Sequence, residues 1–557
     1  MKRKVFIRLA VIAGGIGIVL LSVFAFQLGL DNDPGWGPRR IQLIGAGLVI
    51  ILFGSLYWIT PAISRLLKFP VSPSSSPTVP ENTNSNGKSI NIWLILLGCF
   101  VLWLYIWIIT FGKIEVWPSG RDYYWKLSQA FRQGQTHLLV VPPPELLKLE
   151  NPYDHFQREG LEYLWDTTLY DGKYYLYWGP VPAVLGVIIS FITSKPVTDA
   201  GLVFSFVLGT ALFSVLLLRD IYGEYKIPAW VFWGGVLASA VNIPLIWLLT
   251  RPTFYEVSIA GGQFFLMAGF FALFRAIHFP VPHKGYLALS ALAFGLAGGT
   301  RINLLPSVVF LASVILLYIY FDNHRKIRPS MPAFAAVFIP LVLIAGSLFW
   351  YNYARFGSIF EFGHRYQLTG PSLTADYGDT SSAAYIVPNI YSYVLRLPVL
   401  SREFPFLTIP RIKQNMWPSF IHLPAHYYYT EPLAGILFIV PLIGLTTLLL
   451  IRALWLFING DGSPARSLMV SRSTSLSWFS FSMLGYFVIQ MFILLIFINS
   501  AVRYLFDVLP VLIVLSVIFV GSYMHMFAQE PYQARLLAFL WILASVLTGL
   551  AGLLVGF

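Results

Sequence analysis

Between Gly120 and Pro182 the sequence sets acidic and basic side chains among closely spaced Tyr and Trp, opening GRDYYWKLSQAF, passing through NPYDHFQREG and closing WDTTLYDGKYYLYWGPVP. A charged group beside a bilayer is costly unless a partner or a substrate uses it, so this polar island is where chemistry is expected. Asp122 leads the candidates, because a positioned carboxylate whose pKa is tuned by partial desolvation can accept a proton. The adjacent Arg121 offers the other reading, an ion pair on a solvated helix start. Both stay open at this level.

Four further stretches carry charge where apolar runs end. TRPTFYEVS places Arg251 and Glu256 in a short turn, either as a buried ion pair or as catalytic groups. GLAGGTRINLLP leaves Arg301 isolated between two apolar runs, where a guanidinium calls for an anion, carboxylate or phosphate. YNYARFGSIFEFGHRYQL interleaves Arg355, Glu361, His364 and Arg365 with Phe and Tyr, as suits a cleft for an amphipathic ligand. INSAVRYLFDVLP sets Arg503, Tyr504 and Asp507 at a helix mouth. His422 and His426 are four apart, but the surrounding Pro and Tyr argue against a helical metal pair, and no metal site is expected. Nucleotide hydrolysis and serine chemistry have no support, since no phosphate-binding loop, dinucleotide fingerprint or nucleophile elbow occurs.

The elements that must position these residues are membrane spans. Of 557 residues, 57% are hydrophobic and only 11% charged, and the mean hydropathy is +0.71. The composition is that of an all-α polytopic membrane protein. The net charge of +12 is assigned to topology, because positive loops orient membrane proteins; no nucleic-acid partner is expected. Cys99, the single cysteine, excludes an intrachain disulfide. The start MKRKVFIRLAVIAGG is basic then apolar, and is read as an uncleaved first helix.

Apolar spans fall near 5–26, 41–60, 90–111, 200–218, 228–249, 258–278, 286–299, 303–321, 332–350, 432–452, 476–498, 504–527 and 535–557. The Pro, Ser and Asn-rich PVSPSSSPTVPENTNSNGK separates an N-terminal region, 1–89, from a main module, 90–557. The stretch 176–193 is nearly long enough to cross, but Pro180 and Pro182 interrupt its start. If it does not cross, the basic connections at 219–226, 284, 321–330 and 452–472 all fall inside. The expectation is therefore about 13 crossings with the N-terminus inside. Large outer loops then run over 112–199 and 351–431, and a helix from Tyr123 to Phe131 lies along the membrane surface.

The order of Asp122 with Tyr124, DGKYYLYWGPVP from Asp171, GTR ending at Arg301, RFGSIFEFG from Arg355 and VRYLFDVLP from Val502 resembles the GT-C superfamily of membrane glycosyltransferases. That superfamily includes protein O-mannosyltransferases and lipid A aminoarabinose transferases. The likeness covers most of the chain after residue 112. Members often carry two adjacent acidic residues in the first loop, whereas here Arg121 precedes Asp122; the helices before residue 89 also lie outside the usual pattern. The resemblance implies a GT-C bundle in the cytoplasmic (inner) membrane with its site facing outside. It implies inverting sugar transfer from a polyprenyl-phosphate donor to an extracytoplasmic acceptor hydroxyl, without a cofactor. In that scheme Asp122 or Glu256 is the base, and Arg301, Arg355, Lys173 or Arg503 neutralises the leaving phosphate. Asp171, Tyr174, Arg251, Glu361, His364 and Tyr504 complete the substrate-binding set. A transporter or flippase of a lipid-linked or amphipathic solute is the competing class, although no internal repeat of the kind common in transporters is found.

Overall fold

An apolar run inside a bilayer has no water to satisfy its backbone, so it must satisfy itself as helix. The computed structural model describes residues 2–25, 28, 30, 43, 47, 84–114, 116–278, 282–322, 326–370, 380–411, 417–424, 429–459, 474–524 and 531–556. Among these, eight helices are long and apolar enough to cross a membrane, and four apolar helices are shorter. The protein is therefore an integral membrane protein of helical class; among the described residues its strands, two or three residues each, form two pairs and one three-stranded sheet. The expected span at 41–60 lies almost wholly outside the described residues. The eight long helices do not establish a count of 13.

In chain order the main helices are α1 (Lys2–Val23), α2 (Asn84–Ile109), α3 (Tyr123–Arg132), α4 (Val181–Thr193), α5 (Asp199–Tyr225), α6 (Ala229–Ala240) and α7 (Ile243–Thr250). They continue with α8 (Phe254–His278), α9 (Lys284–Thr300), α10 (Leu305–Asp322), α11 (Ile327–Phe356), α12 (Pro441–Ile458), α13 (Thr474–Ile496), α14 (Leu509–Met524) and α15 (Pro531–Leu553). The chain divides into two compact units. One comprises 1–81, 413–422 and 522–543, and its described residues include α1 and the first part of α15. The other comprises 82–412, 423–521 and 544–557 and carries every candidate site residue.

Within the second unit, α8 is the buried centre, packed against α5, α9 and the 502–507 turn. The span formed by α6 and α7 is interrupted at Asn242. Pro244 has no N–H to offer the Ala240 carbonyl, and the Tyr105 hydroxyl donates to that carbonyl at 2.6 Å instead. Asn242 closes the break on both sides, donating to Ala238 O (2.9 Å) and accepting from Leu245 N (3.0 Å). Because this span runs between them, α5 and α8 are parallel, and their C-terminal ends are joined by Arg275 to Asp220 and His278 to Glu224. Their N-terminal ends, Asp199 and Phe254, consequently share the opposite end with Arg301, which follows the antiparallel α9.

The interrupted stretch at 176–193 gives α4, 13 residues long. At ~1.5 Å per residue that is about 20 Å, short of the ~30 Å of hydrocarbon, so α4 is too short to cross. It packs on α3 through Ser128, whose hydroxyl donates to Ala183 O at 2.8 Å. The helix expected over 123–131 forms as α3, burying Tyr123, Tyr124, Leu127, Ser128 and Ala130. The loop expected from residue 351 starts later, because α11 continues to Phe356 and ends at Gly357 in the left-handed region (φ 67°).

Candidate active site

The first loop builds a platform at one end of the second unit. Strands β1 (Thr168–Tyr170) and β2 (Lys173–Tyr175) form a hairpin through Asp171 and Gly172, both at positive φ (48° and 65°). An Asp-Gly pair suits such a two-residue turn. Asp171 and Lys173 are exposed at this turn, whereas Tyr174 is buried. Residues 363–368 lie antiparallel along the other edge: Asp166 N donates to Leu368 O (2.9 Å) and Leu368 N to Thr167 O (2.8 Å). The turn after β2 meets α9 at Gly179, where a Cβ would collide with the Gly299 carbonyl.

Asp122 begins α3 in the left-handed region (φ 46°). Its Oδ1 accepts from Asp199 N at 3.0 Å, and its Oδ2 from Gly120 N at 3.2 Å. Asp199 returns the arrangement, its Oδ1 accepting from Tyr124 N (3.2 Å) and Trp125 N (3.4 Å). Each carboxylate thus satisfies N–H groups at the start of the helix that the other begins. Asp199 is buried and Asp122 is partly exposed, so a reacting group can reach only Asp122.

Beyond this pair lies a buried ionic cluster. Glu256 accepts from Thr253 N (3.2 Å) and Thr253 Oγ1 (2.5 Å), and its Oε1 lies 3.5 Å from Arg503 Nη1. Arg503 Nη2 donates to Glu431 at 2.6 Å. Of the two readings left open for Arg251 and Glu256, the ion pair between them is not formed: Glu256 pairs with Arg503, and Arg251 is exposed and rests over the Trp247 ring at 4.5 Å. Glu431 reaches Arg503 because β5 (Tyr429–Thr430) pairs with β6 (Asn499–Ser500) just before the 502–507 turn. Tyr504 lies between two guanidinium groups, Arg301 at 5.3 Å and Arg503 at 5.2 Å from its ring centre.

Arg301 meets Asp507, its Nη1 lying 3.0 Å from Oδ1 and 2.9 Å from Oδ2. Of the two anions the sequence allowed for Arg301, a carboxylate is the one present. Arg355 differs, for its donors go to neutral groups: Leu176 O (2.6 Å), Asn352 Oδ1 (2.7 Å) and Tyr351 O (3.4 Å). Arg355 lines a crevice shared with Tyr177, Trp178, Gly298 and Phe362.

Asp166 was not singled out by sequence reasoning, although it lies in WDTTLYDGKYY. It is buried at positive φ (65°) and accepts from the Tyr255 hydroxyl and from Gln367 Nε2. Burial raises its carboxyl to about 6, against the lowering effect of its bonds to Gln367 and Thr369 and of the Arg503 charge. Tyr123 ties this corner to α3, donating to Trp165 O (2.8 Å) and stacking on Phe254 at 4.6 Å. His364 stands 5.2 Å from the Tyr177 ring, and burial lowers its imidazole to about 4, so it is neutral at pH 7. Glu361 accepts from Gly363 N (2.7 Å) and faces Arg365 at 3.6 Å. Among the described residues no group of three or more His, Cys, Asp or Glu could hold a metal ion, and His426 lies outside them.

The structure thus brings together Asp122, Glu256, Arg301, Arg355, Arg503, Tyr504 and His364 around one end of the second unit, and leaves Arg251, Asp171 and Lys173 on its surface. No protein-family model and no curated protein matches the chain. Among solved structures it is similar to the Archaeoglobus fulgidus oligosaccharyltransferase in the apo form, with 13% identity and a TM-score of 0.42 over 83% of this chain and 56% of that one. It is also similar to the archaeal oligosaccharyltransferase AglB from the same organism, in complex with an inhibitory peptide and a dolichol-phosphate, with 14% identity and a TM-score of 0.45 over 83% and 55%. The chain spans a little over half the length of each.

Proposed function

We propose that this chain is a GT-C type membrane glycosyltransferase that passes a sugar from a polyprenyl-phosphate donor to an acceptor hydroxyl on the outer side of the inner membrane. The observation that supports it best is the division of labour among carboxylates. Glu256 and Asp507 are paired with Arg503 and Arg301, whereas among the described residues Asp122 is held by backbone N–H groups, one to each oxygen, and is partly exposed, which leaves lone pairs free. A carboxylate so placed can take the acceptor proton as the hydroxyl oxygen attacks the anomeric carbon. The bond from that carbon to the phosphate oxygen breaks on the opposite face, its electron pair leaving with the lipid phosphate, so configuration inverts.

The phosphate needs a cation. Arg355 fits that role better than Arg301 or Arg503, because among the described residues its bonds go to neutral oxygens and no carboxylate bonds to it. Tyr177 and Trp178 in the same crevice offer faces to a sugar.

The experiment uses purified protein in liposomes with radiolabelled polyprenyl-phosphate sugar and a cell-envelope extract as acceptor. Release of polyprenyl phosphate together with label on the acceptor supports transfer. Movement of intact donor across the bilayer, with no bond cleaved, would put the transporter reading in its place.

A further inference from the structure

Two strands after the 386–395 helical segment, β3 (Val399–Leu400) and β4 (Leu407–Thr408), form a hairpin with the register Val399↔Thr408 and Leu400↔Leu407. Its tip is SREFPF, closed by Ser401 N donating to Phe406 O at 2.9 Å. The tip is apolar and uncovered: Leu400 is 79% exposed, Phe404 74% and Phe406 45%. Contiguous apolar surface of this kind marks a contact site.

What lies beside it identifies the contact. Strand β4 pairs in parallel with β7 (Val555–Gly556), Leu407 opposite Val555, and Leu407 N also donates to Leu554 O at 3.3 Å. Strand β7 follows directly on α15, whose apolar Tyr532–Leu553 stretch is long enough to cross a membrane. The pairing sets the base of the hairpin beside the end of α15. There the last turns of α15 present Leu547, Leu550 and Leu553, each 43–45% exposed. The hairpin that carries the apolar tip is thus tied by main-chain bonds to the residues that directly follow a helix long enough to span a membrane.

We propose that the 399–408 hairpin is a membrane-contacting element that seats Leu400, Phe404 and Phe406 at the boundary between headgroups and acyl chains beside the end of α15. Arg402 and Glu403, both exposed, limit the depth. A guanidinium at that level reaches lipid phosphates, while a carboxylate there must remain in the hydrated layer. The proposal is independent of any catalytic role.

The test starts from Cys99→Ala, which removes the single cysteine. Phe404→Cys and Leu400→Cys are made separately in that background and labelled with an NBD fluorophore. Leu547→Cys serves as the lipid-facing reference and the exposed Glu159→Cys as the aqueous one. All are placed in phosphatidylcholine vesicles containing a tenth phosphatidylglycerol, after monodisperse elution shows that each is folded. The expected result is blue-shifted emission at 404 and 400, quenched at least twofold more by lipids bearing a nitroxide near the headgroup than the label at 159, and resistant to iodide. Quenching by iodide at the level of 159 would overturn the proposal. So would protection from both quenchers, which would mean that protein covers the tip.

Discussion

Asp122 and Asp199 each cap the helix that the other begins, with Asp122 Oδ1 accepting from Asp199 N at 3.0 Å and Asp199 Oδ1 accepting from Tyr124 N at 3.2 Å. The two residues are 77 apart in the chain, one opening the first-loop helix α3 and the other the long helix α5. Negative charge at a helix N-terminus is favourable, so each carboxylate also meets the positive end of its partner's helix. The reciprocal bonds hold Asp122 in a left-handed conformation that few residues other than Gly, Asn or Asp adopt readily.

Asp199 is accordingly expected to act by positioning Asp122. Asp199→Ala removes the cap on α3 and should lower stability by about 0.5–2 kcal/mol, the usual cost of a lost N-cap. Turnover should fall further than this modest destabilisation explains, with donor affinity nearly kept. Thermal unfolding alongside kcat checks it; a stability loss with unchanged kcat would reduce Asp199 to a structural cap.

Arg503 carries the charge of two acidic groups, Glu256 and Glu431. Arg503→Met leaves both uncompensated in a buried setting and should cost about 3–5 kcal/mol, as broken buried pairs do. Glu256→Gln should be milder, since Glu431 still pairs Arg503, and combining it with Arg503→Met should recover part of the loss. Denaturation of the four proteins in detergent, the wild type included, reads the cycle. Strict additivity would show that Glu256 and Arg503 do not act as a pair.

Asp166 gives a pH dependence of unusual sign. Its carboxyl is held up at about 6 against an ordinary 3.8, so the unfolded chain gives up this proton first as pH rises. Its contribution to stability therefore declines between about pH 4 and 6 and stays at the lower level above, a change on the order of 3 kcal/mol. Asp166→Asn, which cannot ionise, should lose that decline. Unfolding free energies of both proteins at pH 4, 5, 6 and 7 should show the wild type losing ground to the variant as pH rises; a constant difference would mean that Asp166 is not desolvated.

Much of this arrangement is legible in the sequence wherever a local rule governs. The apolar runs become helices, the prolines at 180 and 182 announce a helix too short to cross, and the periodicity after Asp122 gives α3. Asp171-Gly172 carries a hairpin signal of equal strength that the spacing alone could have supplied. The ion pairs are another matter. Glu256 and Arg251 are five apart on a turn, yet Glu256 pairs with Arg503, 247 residues away, because the α8 N-terminus and the 502–507 turn are brought together only by helix packing. Asp166 was hidden for the same reason. Its partners Tyr255 and Gln367 lie 89 and 201 residues on, and nothing local to WDTTLYDGKYY distinguishes it from Asp171.

If Asp122 takes the acceptor proton, Asp122→Asn removes the base and little else. Asparagine keeps a side-chain oxygen to accept from Asp199 N, and it tolerates the left-handed conformation, so the fold should survive while the proton acceptor is lost. The measurement is the initial rate of polyprenyl-phosphate release by wild type and variant in the same liposomes, with donor binding measured in parallel. Turnover should fall about a hundredfold or more, the usual scale for a general base, with donor affinity nearly unchanged. Full activity in Asp122→Asn, or a larger loss in Glu256→Gln with the protein still folded, would contradict it.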